Sequence, residues 1–243
     1  MDYKRLFDIF FGITILFFIS PLIIIFCLII YFYDRSNPLY ISTRVGRNGK
    51  KFKIFKIRTM VKNADKIGGT STKKSDKRLL PVGKIIRKLK LDEFTQIINV
   101  INGTMSFVGP RPNTPIDVSM YSLKEEELLF IRPGITDFSS IVFADEGDIL
   151  DSFENPDLAY NQLIRPWKSK LGLFYIKKSS LTLDLKLMFL TILNTINRDK
   201  ALFILSKIIK NNGGSSELIN VVRRKNDLLP TAPPGFLYPI EKI

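Results

Sequence analysis

Residues 9–33 form a run of 25 positions without a single charge. An α-helix needs roughly 20 apolar residues to cross a bilayer, so the run predicts an N-terminal helix in contact with a membrane. It is too long for the apolar core of a signal peptide, and no small-x-small cleavage site follows it. Ser20-Pro21 stands at its centre. Proline lacks an N–H and crowds the preceding turn, so the helix is expected to kink or break there. Residues 9–19 and 22–33 would then form halves about 16 and 18 Å long, each near half the hydrocarbon thickness. Two geometries stand open: a kinked span, and a re-entrant helix that returns to the face it entered. Lys4 and Arg5 precede the run, and residues 35–60 hold eight cations and no acid. Cationic flanks prefer the cytoplasmic side, and two such flanks favour the re-entrant form.

The pattern then shortens. Leu39-Tyr40-Ile41 and Phe52-Lys53-Ile54 flank Arg47-Asn48-Gly49-Lys50, and Asn-Gly between such runs predicts a β-hairpin. Residues 62–78, polar and carrying Gly68-Gly69, read as a mobile loop. From Pro81, Ile85, Ile86, Leu89, Ile97, Ile98 and Ile101 keep helical spacing, with Asn102-Gly103 as the stop. Gly109-Pro110-Arg111-Pro112 and Arg132-Pro133-Gly134-Ile135-Thr136 read as turns. Residues 114–131 read as a helix with Glu125-Glu126-Glu127 on a solvated face, and residues 144–157 as an acidic loop. Residues 180–197 and 201–210 read as amphipathic helices, fit either for a core or for a membrane interface. Residues 211–216 are a linker, and the end around Pro233-Pro234-Gly235 is an irregular tail.

Composition removes whole classes of chemistry. The 243 residues contain no His and one Cys, Cys27. Ser-His-Asp and Cys-His nucleophiles, His zinc sites and intrachain disulfides are excluded. A carboxylate nucleophile, or a metal held by oxygen, is the remaining natural choice. The net charge is +14, with residues 1–90 and 161–243 basic and residues 91–160 acidic. The basic blocks suit an anionic partner or a membrane surface.

Within that frame Asp92 and Glu93 are the key pair, preceded by Lys84, Arg87, Lys88 and Lys90. Nearby cations favour the ionised carboxylate. An ionised Asp can attack phosphorus, and a neighbouring carboxylate can hold Mg²⁺. The alternative is that Asp92 caps a new helical segment with Glu93 on its N-terminal dipole. Arg111, set between two prolines, has a fixed position suited to a phosphate. Lys56 and Arg58 on the hairpin are either part of the same anion site or exposed strand cations, and Arg132 repeats the fixed-Arg arrangement.

Five stretches together resemble the bacterial sugar transferase family, the monotopic polyprenyl-phosphate phosphoglycosyltransferases. They are Lys4-Arg5-Leu6-Phe7-Asp8 with the later Ser20-Pro21; residues 52–60, Phe-Lys-Ile-Phe-Lys-Ile-Arg-Thr-Met; Leu91-Asp92-Glu93 through Gln96 and Asn99; residues 103–112, ending Gly109-Pro110-Arg111-Pro112; and Arg132-Pro133-Gly134-Ile135-Thr136. They run in the family's order over about residues 1–196. The resemblance implies a re-entrant helix broken at Ser20-Pro21 and catalysis by the Asp92-Glu93 dyad. In that chemistry the Asp attacks the β-phosphate of a UDP-sugar, UMP leaves, and the aspartyl phosphosugar passes to polyprenyl phosphate. It further implies Mg²⁺ at Asp92 and Glu93, and phosphate contacts from Arg111, Arg58, Lys56, Arg87 and Arg132. The placement implied is the cytoplasmic face of a bacterial inner membrane, with downstream glycosyltransferases as possible partners. Larger members carry an extra N-terminal membrane domain, and the chain resembles the small form without it.

The expected fold is therefore α+β and monotopic. Residues 1–34 form the re-entrant helix, 35–198 a mainly helical catalytic domain with a small hairpin, and 199–243 a C-terminal amphipathic segment and tail. One departure bears on the substrate. Where many members read Gly-Trp after the Thr, this chain has Asp137-Phe138-Ser139-Ser140, followed by acidic residues. Asp137 lies in the segment expected to contact nucleotide or sugar. The competing function is a membrane-tethered basic adaptor for an anionic polymer. It gives no role to Asp92, Glu93 or Arg111, and no nucleic-acid fold motif is visible.

Overall fold

Helix α1 runs from Tyr3 to Asp34 as one 32-residue element that includes Pro21. Pro21 cannot donate to the Phe17 carbonyl four residues back. The Ser20 hydroxyl donates to that same carbonyl at 3.1 Å. The orphaned acceptor thus keeps a partner, and the chain stays helical where an interruption was expected. In lipid no water replaces a lost partner. Ser20→Ala is therefore expected to cost about 1 kcal/mol in bilayer discs, read as a melting temperature roughly 2–4 °C lower.

This computed structural model describes residues 3–64, 67 and 75–241. Both ends of α1 are tied to one globular body. At the start, Lys4 Nζ donates to the Val108 carbonyl (2.9 Å), the Tyr175 hydroxyl (2.9 Å) and Asp184 Oδ2 (2.5 Å). Arg5 donates to the carbonyls of Val100 and Ile101, and buried Asp8 accepts from the Phe107 amide at 3.3 Å. At the far end, Asp34 receives both terminal nitrogens of Arg58, at 2.6 and 2.7 Å. Between these anchors one apolar stripe packs onto the body: Phe7, Phe11, Ile15 and Ile19 on the main core, then Ile23, Phe26 and Ile30 on a smaller cluster. The opposite side presents Phe10 (75% exposed), Phe17 (75%) and Phe18 (74%). An isolated helix of this length is about 48 Å long. Helix α1 is fastened along its length and at both ends to the same body, with a largely apolar outer face.

The hairpin forms as the Asn-Gly signal predicts. Strands β1 (Leu39–Val45) and β2 (Lys51–Ile57) pair antiparallel, from Leu39 opposite Ile57 to Val45 opposite Lys51. Asn48 and Gly49 supply the left-handed turn at φ 57° and 73°. The expected loop of residues 62–78 closes at its base, where Met60 and Leu79 form an antiparallel bridge. Gly68-Gly69 lie outside the described residues.

The helical stretch expected from Pro81 to Ile101 is broken. Helix α2 (Pro81–Lys88) starts with Pro81 in its first turn. Lys90 then adopts a left-handed backbone (φ 54°, ψ 25°), a 3₁₀ segment covers Leu91–Gln96, and α3 spans Ile97–Ile101. The apolar residues of the 3₁₀ segment, Leu91 and Phe94, are three apart, a spacing that α and 3₁₀ turns both accommodate. Gly103, at φ 86°, follows as the stop.

Strands β3 (Ser106–Val108), just before the turn at residues 109–112, and β4 (Gly134–Thr136), within the second segment read as a turn, form a short parallel pair. Their backbones touch closely: a Cβ on Gly134 would lie 2.1 Å from the Gly109 nitrogen. That contact requires Gly at both motifs. The predicted helix 114–131 is two short α-helices, α4 (Pro115–Ser119) and α5 (Leu123–Glu126), each opened by a capping box, and a 3₁₀ turn over Glu127–Phe130. Glu125 is not solvated but fully buried, against Arg165 and Ser169. Helix α6 (Phe138–Val142) comes next, and the acidic segment 144–157, read as a loop, is also helical, as α7 (Glu146–Asp151) and the start of α8 (Pro156–Ala159).

A π-turn, Tyr160–Ile164, leads into α9 (Arg165–Lys178), and α10 (Leu181–Ile196), α11 (Arg198–Asn211) and α12 (Ser216–Arg223) follow. The main core gathers Phe138, Ile141, Leu171, Tyr175, Leu187 and Leu205. Helix α10 leaves Phe189 (62%), Ile192 (65%) and Ile196 (79%) exposed on its outer face. Helix α11 differs from the interfacial reading of its sequence: Ala201, Leu202, Leu205 and Ile209 are buried, so its apolar face belongs to the core. Asp145 holds both C-terminal helices through Arg198 (2.8 Å) and Arg224 (3.3 Å). The tail has no helix or strand among its described residues, yet it is pinned: Thr231 N and the Gln162 carbonyl lie at 3.0 Å, and Gln162 Nε2 donates to Ile240 O at 2.8 Å.

Candidate active site

The left-handed joint at Lys90 turns Asp92 and Glu93 into the first turn of the 3₁₀ segment. That segment is fixed against β2 by side chains acting as strand partners. Asn99 donates to the Lys53 carbonyl (2.7 Å) and accepts from the Phe55 amide (3.3 Å). Thr95 donates to the Phe55 carbonyl at 2.9 Å. Lys56, the next residue of β2, is thereby held near the dyad, with Nζ 3.5 Å from Glu93 Oε1. From the other side comes Arg111, its backbone fixed by Pro110 and Pro112. Its guanidinium grips Glu93 in a two-pronged pair, with Nη1–Oε2 at 3.0 Å and Nη2 on Oε1, and it also reaches the Ile135 carbonyl at 3.4 Å.

The two carboxylates are treated differently. Burial alone would raise the Glu93 pKa, but Arg111 and then Lys56 overcome this and hold it far below the ordinary range. Glu93 is thus held in its ionised form by Arg111 and Lys56. Asp92 is 8% exposed, and among the described residues no hydrogen bond or ion pair holds its carboxylate. Burial pushes its pKa up, Lys56 opposes this, and the charge of Glu93 adds to the rise. The sequence reading, in which cations favour the ionised form, is corrected here: desolvation outweighs them. The result is a free, poorly solvated carboxylate beside fixed positive charge. When ionised, such a group is a better nucleophile than a solvated one.

Several expected phosphate contacts lie elsewhere. Arg87 is near the dyad, attracted to Asp92 and held by a hydrogen bond from Nε to Thr59 Oγ1 at 2.8 Å. Arg58 is spent on Asp34 and on the carbonyl of Asn37 (2.7 Å), and so anchors the end of α1. Arg132 donates to the Gly103 carbonyl at 3.0 Å, on the side where Arg5 anchors the start of α1. Asp137 is buried as the N-cap of α6, accepting from the Ser140 amide (2.7 Å) and from the hydroxyls of Ser139 and Ser140. No oxygen of it is left open to a sugar. These side chains are drawn away because a buried charge takes the partner the fold places nearest.

Sequence reasoning named Lys90 only among the cations before Asp92 and gave Arg44 and Lys168 no place at the site. Arg44 of β1, Lys90 and Lys168 all feel the charge of Arg111. Lys168 Nζ pairs with Glu146 at 2.5 Å and lies over the Tyr160 ring, 5.0 Å from its centroid. They come from separate elements and share no motif. Only Lys90, two residues before Asp92, carried a positional signal.

For a divalent cation the described residues offer no cluster of three acidic ligands. Mg²⁺, however, is commonly held by one or two carboxylates and completed by substrate phosphates and water. The open carboxylate of Asp92 beside the Glu93 carboxylate fits that pattern.

The profile of the family described as bacterial sugar transferase matches residues 1–198. The exopolysaccharide production protein ExoY of Sinorhizobium fredii is 36% identical over 148 residues, covering 55% of this chain and 66% of that protein. A UDP-N-acetylgalactosamine-undecaprenyl-phosphate N-acetylgalactosaminephosphotransferase of Aeromonas hydrophila is 30% identical over 192 residues, covering 78% and 42%. A UDP-glucose:undecaprenyl-phosphate glucose-1-phosphate transferase of Klebsiella pneumoniae is 34% identical over 198 residues, covering 79% and 40%. The chain thus spans between 40% and 66% of the length of these three relatives.

Proposed function

The chain belongs to the bacterial sugar transferase family, and from that premise we propose that it moves a phosphosugar from a UDP-sugar to a polyprenyl phosphate. The observation that carries this reading is the division of labour in the dyad. Glu93 is locked to Arg111 and Lys56, while Asp92 keeps an unpartnered carboxylate next to the same cations.

In the first step an Asp92 oxygen attacks the β-phosphorus of the donor. The Asp92 O–P bond forms, the bridging bond to the α-phosphate breaks, and UMP leaves with the bond's electrons. In the second, the phosphate oxygen of the acceptor attacks the same phosphorus and the Asp92 O–P bond breaks. The products are free Asp92 and a polyprenyl-diphosphate sugar. Arg111, Lys56 and Arg87 are already in place to spread the negative charge of both transition states, with little reorganisation. Glu93 keeps Arg111 in position and so acts through it. When bound at Asp92 and Glu93, Mg²⁺ would add positive charge against the diphosphate.

The outer face of α1 and the exposed stripe of α10 would lie on the cytoplasmic leaflet of the inner membrane. The anchoring of α1 at both ends supports a helix that dips into one leaflet and returns. This placement lets a lipid-borne phosphate meet a nucleotide sugar from the cytoplasm at one site. The product would start a glycan that downstream glycosyltransferases extend. The adaptor alternative leaves the dyad's arrangement without a role.

The test is UMP release by the detergent-purified chain across a panel of UDP-sugars with Mg²⁺, with and without polyprenyl phosphate. Stoichiometric release from one sugar without acceptor, becoming continuous with it, is expected. Release that ignores the acceptor would point to a different recipient, and omission of Mg²⁺ tests the metal.

A further inference from the structure

Lys90 combines three features that its fold role alone does not explain. Its backbone is left-handed, at φ 54° and ψ 25°, a conformation unfavourable for a residue with a Cβ and natural for Gly. Its ammonium has no carboxylate within 4 Å among the described residues, and its one hydrogen bond is a long one, 3.4 Å, to the neutral Ser140 carbonyl. By contrast Arg111 and Lys56 face Glu93, and Lys168 faces Glu146. Its place is also telling. It ends the stretch in which Ile85 (57% exposed) and Leu89 (50%) line the outside of α2, while Val82 and Ile86 pack toward Ile23, Phe26 and Ile30 of α1. Lys90 therefore lies where an apolar, α1-adjacent surface meets Asp92.

We propose that Lys90 is a substrate-binding cation that holds a phosphate oxygen over Asp92, belonging either to the donor's diphosphate or to the acceptor's terminal phosphate. This rests on the transfer reaction proposed above. A Gly at this joint would build the turn more easily but leave that oxygen without its cation. A Lys there keeps a charge two residues from Asp92 that feels Glu93, Asp92 and Asp137 but is paired with no carboxylate within 4 Å among the described residues.

The test uses the full chain with Lys90→Met, Lys90→Arg and Lys90→Gly. Three quantities are measured: the donor concentration that half-saturates the rate of the stoichiometric acceptor-free UMP burst, KM for acceptor in turnover, and the affinity for UDP and for a short-chain alkyl phosphate by calorimetry. Melting temperature is followed for each variant. Lys90→Gly is expected to melt at or above wild type, and Lys90→Met close to it. Both should weaken one phosphate ligand by about 10- to 100-fold, the scale of a lost charge-assisted contact, and Lys90→Arg should recover most of the loss. A change confined to donor and UDP assigns the contact to the diphosphate; a change confined to acceptor and alkyl phosphate assigns it to the lipid. Unaltered half-saturating concentrations and affinities in Lys90→Met would overturn the proposal, as would losses that merely follow a lowered melting temperature. Because calorimetry needs no turnover, an inactive wild type with UDP binding weakened by Lys90→Met would sink the reaction while keeping Lys90 as a phosphate ligand.

Discussion

Asp92→Asn is expected to lower UMP release by roughly 10⁴-fold or more, the scale on which loss of a covalent nucleophile is felt. An amide of the same shape has no ionised oxygen to attack phosphorus, while Glu93, Arg111 and Lys56 keep their mutual contacts. The same change is expected to preserve or raise the melting temperature, and the sign follows from burial. The folded Asp92 pKa lies above its ordinary value of 3.8, so folding disfavours the ionised form. That destabilisation is complete above the folded pKa and disappears below 3.8, where both states are protonated. Thermal melts of both proteins between pH 8 and pH 4 should therefore show the advantage of the variant shrinking as pH falls. Loss of activity with a lower melting temperature at every pH would mean a structural Asp92. Retained turnover would remove it as the nucleophile.

The largest stability effect is expected at the fully buried Glu125. Its Oε2 accepts from Arg165 Nη2 at 2.8 Å, and its Oε1 from Arg165 Nε at 3.2 Å and from the Ser169 hydroxyl at 2.7 Å. Arg165 is also buried and reaches Asn161 and the Met120 carbonyl. Glu125→Ala strands a guanidinium in the interior and also removes the capping box of α5. The cost of breaking such a pair is about 3–5 kcal/mol, a fall in melting temperature of roughly 6–20 °C for a chain of this size. The paired change Glu125→Leu with Arg165→Met, which leaves no unpaired charge, is expected to melt well above Glu125→Ala. Equal loss in both would show that packing, not the stranded charge, sets the cost.

Much of this protein is legible in local sequence because the causes are local. A 25-residue uncharged run, an Asn-Gly turn and a Pro at a helix start act through neighbours in the chain. Those elements stand where the pattern puts them. The misreadings fall where a side chain chooses between water and a distant partner. Glu125, in a run of three acids, looks like a solvated face; its partner is 40 residues away. Arg58 and Asp137 look free for substrate, yet one is drawn to Asp34 and the other caps α6. Pro21 was expected to kink or break a helix; the helix runs on through it, with the Ser20 hydroxyl on the carbonyl that Pro21 leaves without a donor.

The sequence by itself determined the chemistry available: no imidazole, one thiol, an Asp-Glu pair among cations, and one helix long and apolar enough to cross a membrane. Those follow from which residues are present and from spacing along the chain. Only the tertiary structure decided which carboxylate is free. The fold brings Arg111 and Lys56, 55 residues apart in sequence, onto Glu93 and not onto Asp92. Whether a charge is paired or exposed is set by what lies within a few ångströms in space.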